Sequence, residues 1–284
     1  MPPIDNTKPA PYDLEEDVVI ICVDLEAWER SHAIITEIGI ATLDTRDIKD
    51  LSPGKLGENW RSKIRARHFR ISEHIMYVNH EFVHGCPDRF EKEFGTTEFI
   101  DKKDACQIIA SCFKEPFSKK VTQEEIDAAW AKLAKDEELK EEKRNIIFLG
   151  HNPASDVGYL KQLGYDPDTL LNLREYMDTA GLYRAHKKEA QPRGVGGILS
   201  EFDLTGWNLH NAGNDAVYTL WIFLATIVAE AEARGKEAQI ESGDEGDAAE
   251  NKKPGGDAKV KAPFKPVPKV DFDDFVVPEE YKVW

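Results

Sequence analysis

The sequence predicts an α/β fold: a mixed five-stranded sheet, an antiparallel meander followed by parallel strands, flanked by helices. Three observations carry this expectation. Apolar runs of strand length sit at 17–24, 33–43 and 145–149. Apolar residues at helical spacing mark 101–113 and the stretch from Ala212 to about Arg234. The order along the chain is strand, strand, strand, helix, strand, helix, strand, helix.

The first run lies in VVIICVDLEAWER and has bulk on both faces, as a central strand does. The second ends at Asp44 and Thr45, and Asp50 with Ser52, Pro53 and Gly54 beyond supplies turn chemistry. A third strand is expected over 60–69, and irregular chain over 71–99. In 101–113, Ala105, Ile108, Ile109 and Cys112 share a helical face, and Pro116 stops the helix. Thr122 and Glu125 form a capping box that opens a highly charged helix to about Lys143. NIIFL, at 145–149, is a short buried strand followed by a helix. LREYMDTAGL supplies the fifth strand and its exit, and the glycines of 194–197 mark a break. The last helix is apolar over most of its surface and is expected to be buried.

Three regions follow: a flexible leader over 1–16, one domain over 17–234 with an insert at about 71–143, and a tail over 235–284. Within the tail, 241–268 has the Gly, Asp, Glu, Lys and Pro content of disordered chain. Its last stretch, DFDDFVVPEEYKVW, regains aromatics that suit docking or partner binding.

Hydrophobic residues make up 41% of the chain and charged ones 32%, with a formal net charge of −16. Such a balance repels polyanions, so any nucleic-acid contact needs a local basic patch or bridging cations. Cys22, Cys86, Cys106 and Cys112 form no CxxC pair, which suits reduced thiols in an intracellular protein, cytoplasmic or nuclear. There is no signal pattern, and the apolar stretch 216–229 is expected to be too short for a membrane span.

Three short motifs place acids at strand and helix ends. Asp24 and Glu26 share one face of the first strand, with about 6.6 Å of rise between them. Like charges at that range repel, and a divalent cation between them relieves the repulsion. Taken alone, the pair also fits a solvated strand end. In FLGHNPASD, Asn152 and Pro153 suit the cap and first position of a helix, and Asp156 falls in its first turn. Asp156 alone also fits a charge that favours the helix start. In GWNLHNAGND, Asn208 or Asn211 can cap the long helix, Asp215 enters its first turns, and His210 lies in the loop or at the cap. His74, His80, His84 and Cys86 match no standard zinc spacing and read as loop residues.

Together these motifs resemble the DEDD-type 3′–5′ exonucleases of the RNase H-like superfamily, in their histidine-containing subclass. Asp24 and Glu26 match the first motif, Asn152 and Asp156 the second, and His210, Ala212 and Asp215 the third, His-x-Ala-x-x-Asp. Glu37-Ile38-Gly39 resembles the usual continuation in the second strand. FVHGCPDRFEKEFG resembles the fungal good-for-full-activity proteins linked to an mRNA-export helicase.

The resemblance implies hydrolysis of a 3′-terminal phosphodiester with two divalent cations, Mg²⁺ or Mn²⁺, about 3.5–4 Å apart. Asp24 would bridge both, Glu26 and Asp215 would complete one site, and Asp156 would hold the other. His210 would be the general base, with an unperturbed pKa of about 6.5. Leu25 and Trp28 would stack on or wedge the terminal base, beside Asn152. Trp28 is larger than the residue usual there and also fits a packed aromatic. Arg61, Lys63, Arg65 and Arg67 would share a strand face, either as a phosphate track or as an outer sheet face. The expected partner is the 3′ end of single-stranded RNA or DNA, with no membrane. The alternatives are an RNase H-like adaptor for an RNA helicase or other mRNA-processing partner, and an oligonucleotide-trimming enzyme.

Overall fold

A computed structural model describes residues 6–9, 18–118 and 144–243. The charged helix expected at 122–143, most of the leader and the tail from 244 lie outside the described residues.

The β-rich first half comes from alternation on both faces. Strands β1 (Val18–Trp28), β2 (Ser31–Asp44) and β3 (Arg65–Ile71) form the expected antiparallel meander. Strands β5 (Asn145–Gly150) and β6 (Leu173–Asp178) extend it on the other side, both parallel to β1. A further strand, β4 (Thr97–Ile100), pairs parallel with β3 at the far edge. The sheet therefore has six strands, in the order β4-β3-β2-β1-β5-β6, rather than five. Four residues with an exposed Phe99 carry no alternating apolar run, so β4 has little signal of its own.

Alternate residues of β1 enter different layers, as the strand period of two requires. Val19, Ile21, Val23 and Leu25 pack with Ala105, Ile109 and Cys112 of α2 (Lys102–Cys112) and Leu160 of α3 (Ala154–Gln162). Val18, Ile20 and Cys22 pack with Ala216, Val217, Leu220 and Phe223 of α6 (Ala212–Gly243). Each fully buried aliphatic side chain contributes about 1.5–3 kcal/mol. Asp24 and Glu26 continue the second row and so come out on the α6 side.

Other expectations need correction. The 60–69 strand is split: α1 (Glu58–Arg61) forms one helical turn, held by the Trp60 indole N–H donating to Leu51 O at 2.7 Å. Arg61 leaves the strand face, and its guanidinium lies 5.0 Å from the Trp221 ring centroid. Two helices were not expected, α4 (Thr179–Lys187) and α5 (Val195–Glu201). α5 runs through Gly196 and Gly197, because burial of Ile198 and Leu199 against Tyr218 and Ile222 outweighs glycine's poor helix propensity. α6 continues to Gly243 instead of stopping near Arg234. Its first part, Ala212–Gly235, is long and apolar enough to cross a membrane by length and composition, contrary to expectation. With 61% of its apolar window buried against the sheet and neighbouring helices, it is the core helix of this domain.

Candidate active site

The site forms where α6 meets the sheet, and two glycines let it do so. Asp24 faces Gly39 across the β1–β2 ladder, and Glu26 faces Glu37. A Cβ on Gly39 would lie 1.8 Å from the Ala212 carbonyl oxygen, so only glycine admits the start of α6 there. Gly213 makes the same allowance toward His68 and Phe90, at 2.6 and 2.7 Å. Asp215, one turn into α6, thereby reaches Glu26.

The start of α6 is itself well capped. Asn211 Oδ1 accepts the Asn214 N–H at 3.2 Å, so Asn211, not Asn208, is the cap. Asp215 Oδ2 accepts the His210 N–H at 2.7 Å. His210 has a φ of 65° and an exposed imidazole. Potential ligand atoms of Glu26, His210 and Asp215 lie within 4.8 Å of one another.

Asp156 arrives from the opposite layer. Its Oδ1 accepts the Leu25 N–H at 2.9 Å, tying α3 to β1 between Asp24 and Glu26. Asn152 does not cap α3: the helix opens at Pro153, while Asn152 takes a left-handed φ of 61° and donates its N–H to Asp178 Oδ1 at 2.8 Å. Its side chain is exposed at the end of β5.

Crowding shows in the protonation of these acids. Burial, then the neighbouring carboxylates Asp156, Asp215, Glu26 and Glu37, pushes Asp24 well above the usual carboxylate range. Burial with Glu37, Asp215 and Asp156 lifts Glu26 to about 8. Burial lifts Asp156 and Asp215 to about 7 each. Asp215 Oδ1 is buried with no hydrogen-bond partner. An orphaned carboxylate oxygen among close hard-oxygen donors fits a divalent cation, which would remove both the repulsion and the missing bond. His210 is exposed at the surface but its ring is partly buried by its neighbours, and this partial burial lowers its pKa, which favours the neutral imidazole at neutral pH.

Other expected residues are placed differently. The Leu25 side chain is packed in the core at 6% exposure, so only its backbone belongs to the site. Trp28 packs against Tyr77, with ring centroids 4.9 Å apart. Arg65 pairs with Asp47, and Arg67 donates to Glu98 at 2.7 Å. The arginines on β3 are thus neutralised by acids and form no open phosphate track. His74 Nδ1 lies 2.5 Å from Ile35 O, and the Cys86 thiol donates to Leu209 O at 3.1 Å, which agrees with loop roles. Burial first pushes that thiol up to about 11, so it stays protonated.

Two features escaped sequence reasoning. Glu37 is buried, and its Oε2 accepts from His68 Nε2 at 3.0 Å and from the Ala212 N–H at 3.3 Å, bracing α6. An acid inside the apolar run of β2 was the available signal. The other is a clasp between the chain at 86–91 and the His210 turn. Cys86 N–H donates to His210 O at 3.3 Å, and Asn211 Nδ2 donates to Cys86 O and Pro87 O, each at 3.2 Å. Asn214 accepts from the Glu91 N–H and donates to Arg89 O, each at 2.9 Å.

The chain is 28% identical over 223 residues to Good for full DBP5 activity protein 2 of Saccharomyces cerevisiae, covering 72% of this chain and 35% of that protein. It is also 28% identical over 224 residues to an uncharacterized protein of the same yeast, YDR514C, covering 72% and 40%. The chain therefore spans well under half of either relative. The likeness expected from FVHGCPDRFEKEFG, to the good-for-full-activity proteins, is borne out. The nuclease domain of 3′hExo, a DEDDh family member solved bound to rAMP, is similar at a TM-score of 0.44 and 12% identity, covering 78% of this chain and 96% of that one. Residues 19–226 match the family model described as DEDDh_C, DNA polymerase III subunit epsilon-like, C-terminal domain, and the chain belongs to that family.

Proposed function

We propose that the chain is a metal-dependent 3′–5′ exonuclease acting on RNA or single-stranded DNA. The observation that carries this is the convergence of four acids from β1, α3 and α6 beside His210, with one buried Asp215 oxygen left unpartnered. Asp24, Glu26, Asp156 and Asp215 would hold two divalent ions, Mg²⁺ or Mn²⁺. Such ions, when bound, neutralise phosphate charge and stabilise the attacking and leaving oxygens. The residues supply the rest. The Leu25–Asp156 bond fixes the spacing of the acids, and the Asp215–His210 bond sets the turn from which the imidazole projects. His210, neutral at neutral pH, accepts the proton of the attacking water.

The test is incubation of end-labelled single-stranded RNA and DNA with Mg²⁺ or Mn²⁺. Wild type shortens them from the 3′ end and Asp24→Ala does not. Equal shortening by both, or by neither, overturns the proposal.

A second reading is a partner-binding module that supports a helicase. The name of one relative, Good for full DBP5 activity protein 2, favours it. Under that reading, partner stimulation survives Asp24→Ala and no strand is shortened.

A further inference from the structure

We infer that Glu26, His210 and Asp215 form a single-ion site for a borderline transition metal, Zn²⁺ above all, with the His210 imidazole as a ligand, and that its occupation shuts off the reaction proposed above. The regulatory consequence rests on that reading, whereas the binding of the ion does not require cleavage. Ligand atoms of these three residues all lie within 4.8 Å of one another, and Asp24 and Asp156 do not join the group. The cluster that the chain holds ready is therefore two carboxylates and one imidazole, not four carboxylates.

Two further observations point to an ion. Asp215 is 7% exposed, and its Oδ1 is buried with no hydrogen-bond partner. A buried carboxylate oxygen in that state calls for a donor or a cation. The second observation is the freedom of the His210 ring. His68 commits its two ring nitrogens to Thr97 and Glu37, and His151 commits its own to Thr179 and Arg193 O. The ring nitrogens of His210 have no hydrogen-bond partner among the described residues, so a lone pair is available beside the two acids.

The imidazole is also carried on a fixed backbone. His210 N–H donates to Asp215 Oδ2 at 2.7 Å, and His210 O accepts the Cys86 N–H at 3.3 Å. Which ion suits the set follows from its donors. Mg²⁺ demands hard oxygen ligands and gains nothing from an imidazole. Zn²⁺ takes carboxylate oxygen and imidazole nitrogen alike, at about 2.0–2.2 Å, and is often held by three protein ligands with one position open. It also exceeds Mn²⁺ in affinity for mixed nitrogen and oxygen sites. The ligands must close in slightly around it, which the exposed His210 side chain allows. Cys86, on the adjoining segment, stays out of the group, with its thiol donating to Leu209 O at 3.1 Å. An imidazole whose lone pair is bound to an ion accepts no proton from water, and Glu26 and Asp215 are then withheld from Mg²⁺. Zn²⁺ thus blocks the base and the metal ligands together.

The experiment is isothermal titration calorimetry of the full chain with Zn²⁺ and, separately, with Mg²⁺, in wild type, His210→Gly and Cys86→Ser. Glycine adopts the φ of 65° at position 210 freely and keeps both backbone hydrogen bonds, so the turn survives. His210→Gly is expected to weaken the tightest Zn²⁺ binding at least about tenfold and to leave Mg²⁺ affinity within about twofold. Cys86→Ser should change neither. Co²⁺ in place of Zn²⁺ should give the intense visible absorption of a four-coordinate ion in wild type and lose it in His210→Gly. Where wild type shortens a strand in Mg²⁺, added Zn²⁺ should stop the shortening. Equal Zn²⁺ affinity in wild type and His210→Gly overturns the inference, as does an equal loss of Zn²⁺ and Mg²⁺ affinity, which would mean that the change disturbs the acids. If wild type shortens no strand but His210→Gly alone loses Zn²⁺, the nuclease reading fails and the zinc site stands. If strands are shortened and Zn²⁺ binds both proteins equally, the zinc site fails by itself.

Discussion

Asp156 Oδ1 accepts the Leu25 N–H at 2.9 Å, so a helix on one side of the sheet is tied to β1 between Asp24 and Glu26. Asp215 comes from the helix on the other side and reaches the same strand end. The C-terminal end of β1 is where both layers can contribute an acid to one point. That arrangement is unfavourable without a counter-charge, and its cost is measurable.

Replacing Asp215 with Asn should stabilise the metal-free chain. The substitution keeps an acceptor for the His210 N–H and removes one charge from a crowded, buried group. The expected gain at pH 8 is on the order of 1–3 kcal/mol, read as a higher Tm in EDTA. The same variant should lose most of the Tm increase that Mn²⁺ gives wild type. A lower Tm in EDTA would show that the acids are not in mutual repulsion.

The pH dependence has a definite sign. Glu26, Asp156 and Asp215 have folded pKa values of about 8, 7 and 7, above the ordinary carboxylate value of about 4. The folded state therefore holds protons that the unfolded state releases. The stabilisation is fully present below about pH 4 and is lost as pH rises through 7 to 8. In EDTA, these groups make Tm fall between about pH 4 and 8 and level off above that, and Mg²⁺ should flatten that fall. Melts across this range, with and without the cation, check it. In Asp215→Asn the slope should be shallower.

Much of the site was legible because its chemistry is local. Asp24 with Glu26, Asp156 after a strand end, and His210 five residues before Asp215 are spacings visible in one dimension. The partners of Arg65 and Arg67 were not. Asp47 and Glu98 lie 18 and 31 residues away, and the pairings exist only once β3 is in the sheet. Likewise, Leu25 lies between two site acids in sequence, but the strand period turns its side chain into the core. β4 and α5 escaped because neighbours, not their own residues, stabilise them. Glu37 carried a signal, but its partners His68 and Ala212 are 31 and 175 residues distant.

Gly39→Ala should damage both fold and site. The new methyl group would lie 1.8 Å from Ala212 O, a backbone atom with no side-chain freedom to move away. Overpacking of this kind costs about 1–3 kcal/mol. Relief requires lifting the start of α6, which carries Asp215 away from Glu26. A lower Tm together with at least tenfold weaker Mn²⁺ binding by calorimetry is the expected result. A loss of stability with unchanged Mn²⁺ affinity would show that α6 does not set the acid spacing.

Glu29 offers a test of the segment at 79–84. Hydrogen bonds from the backbone of His80 and Phe82 dominate its environment and hold its carboxyl at about 2. A depressed folded pKa contributes stability that is present above about pH 4 and lost as pH falls through about 2. Glu29→Gln keeps one acceptor oxygen but loses the charge that gathers several N–H groups. Hydrogen exchange at the amides of Glu81 and Phe82 should therefore quicken at neutral pH, while the core strands stay protected. In wild type the same amides should lose protection, relative to unstructured chain at the same pH, only as the solution is acidified below about pH 4. Equal protection in both proteins at neutral pH would mean that the carboxylate does not hold the segment.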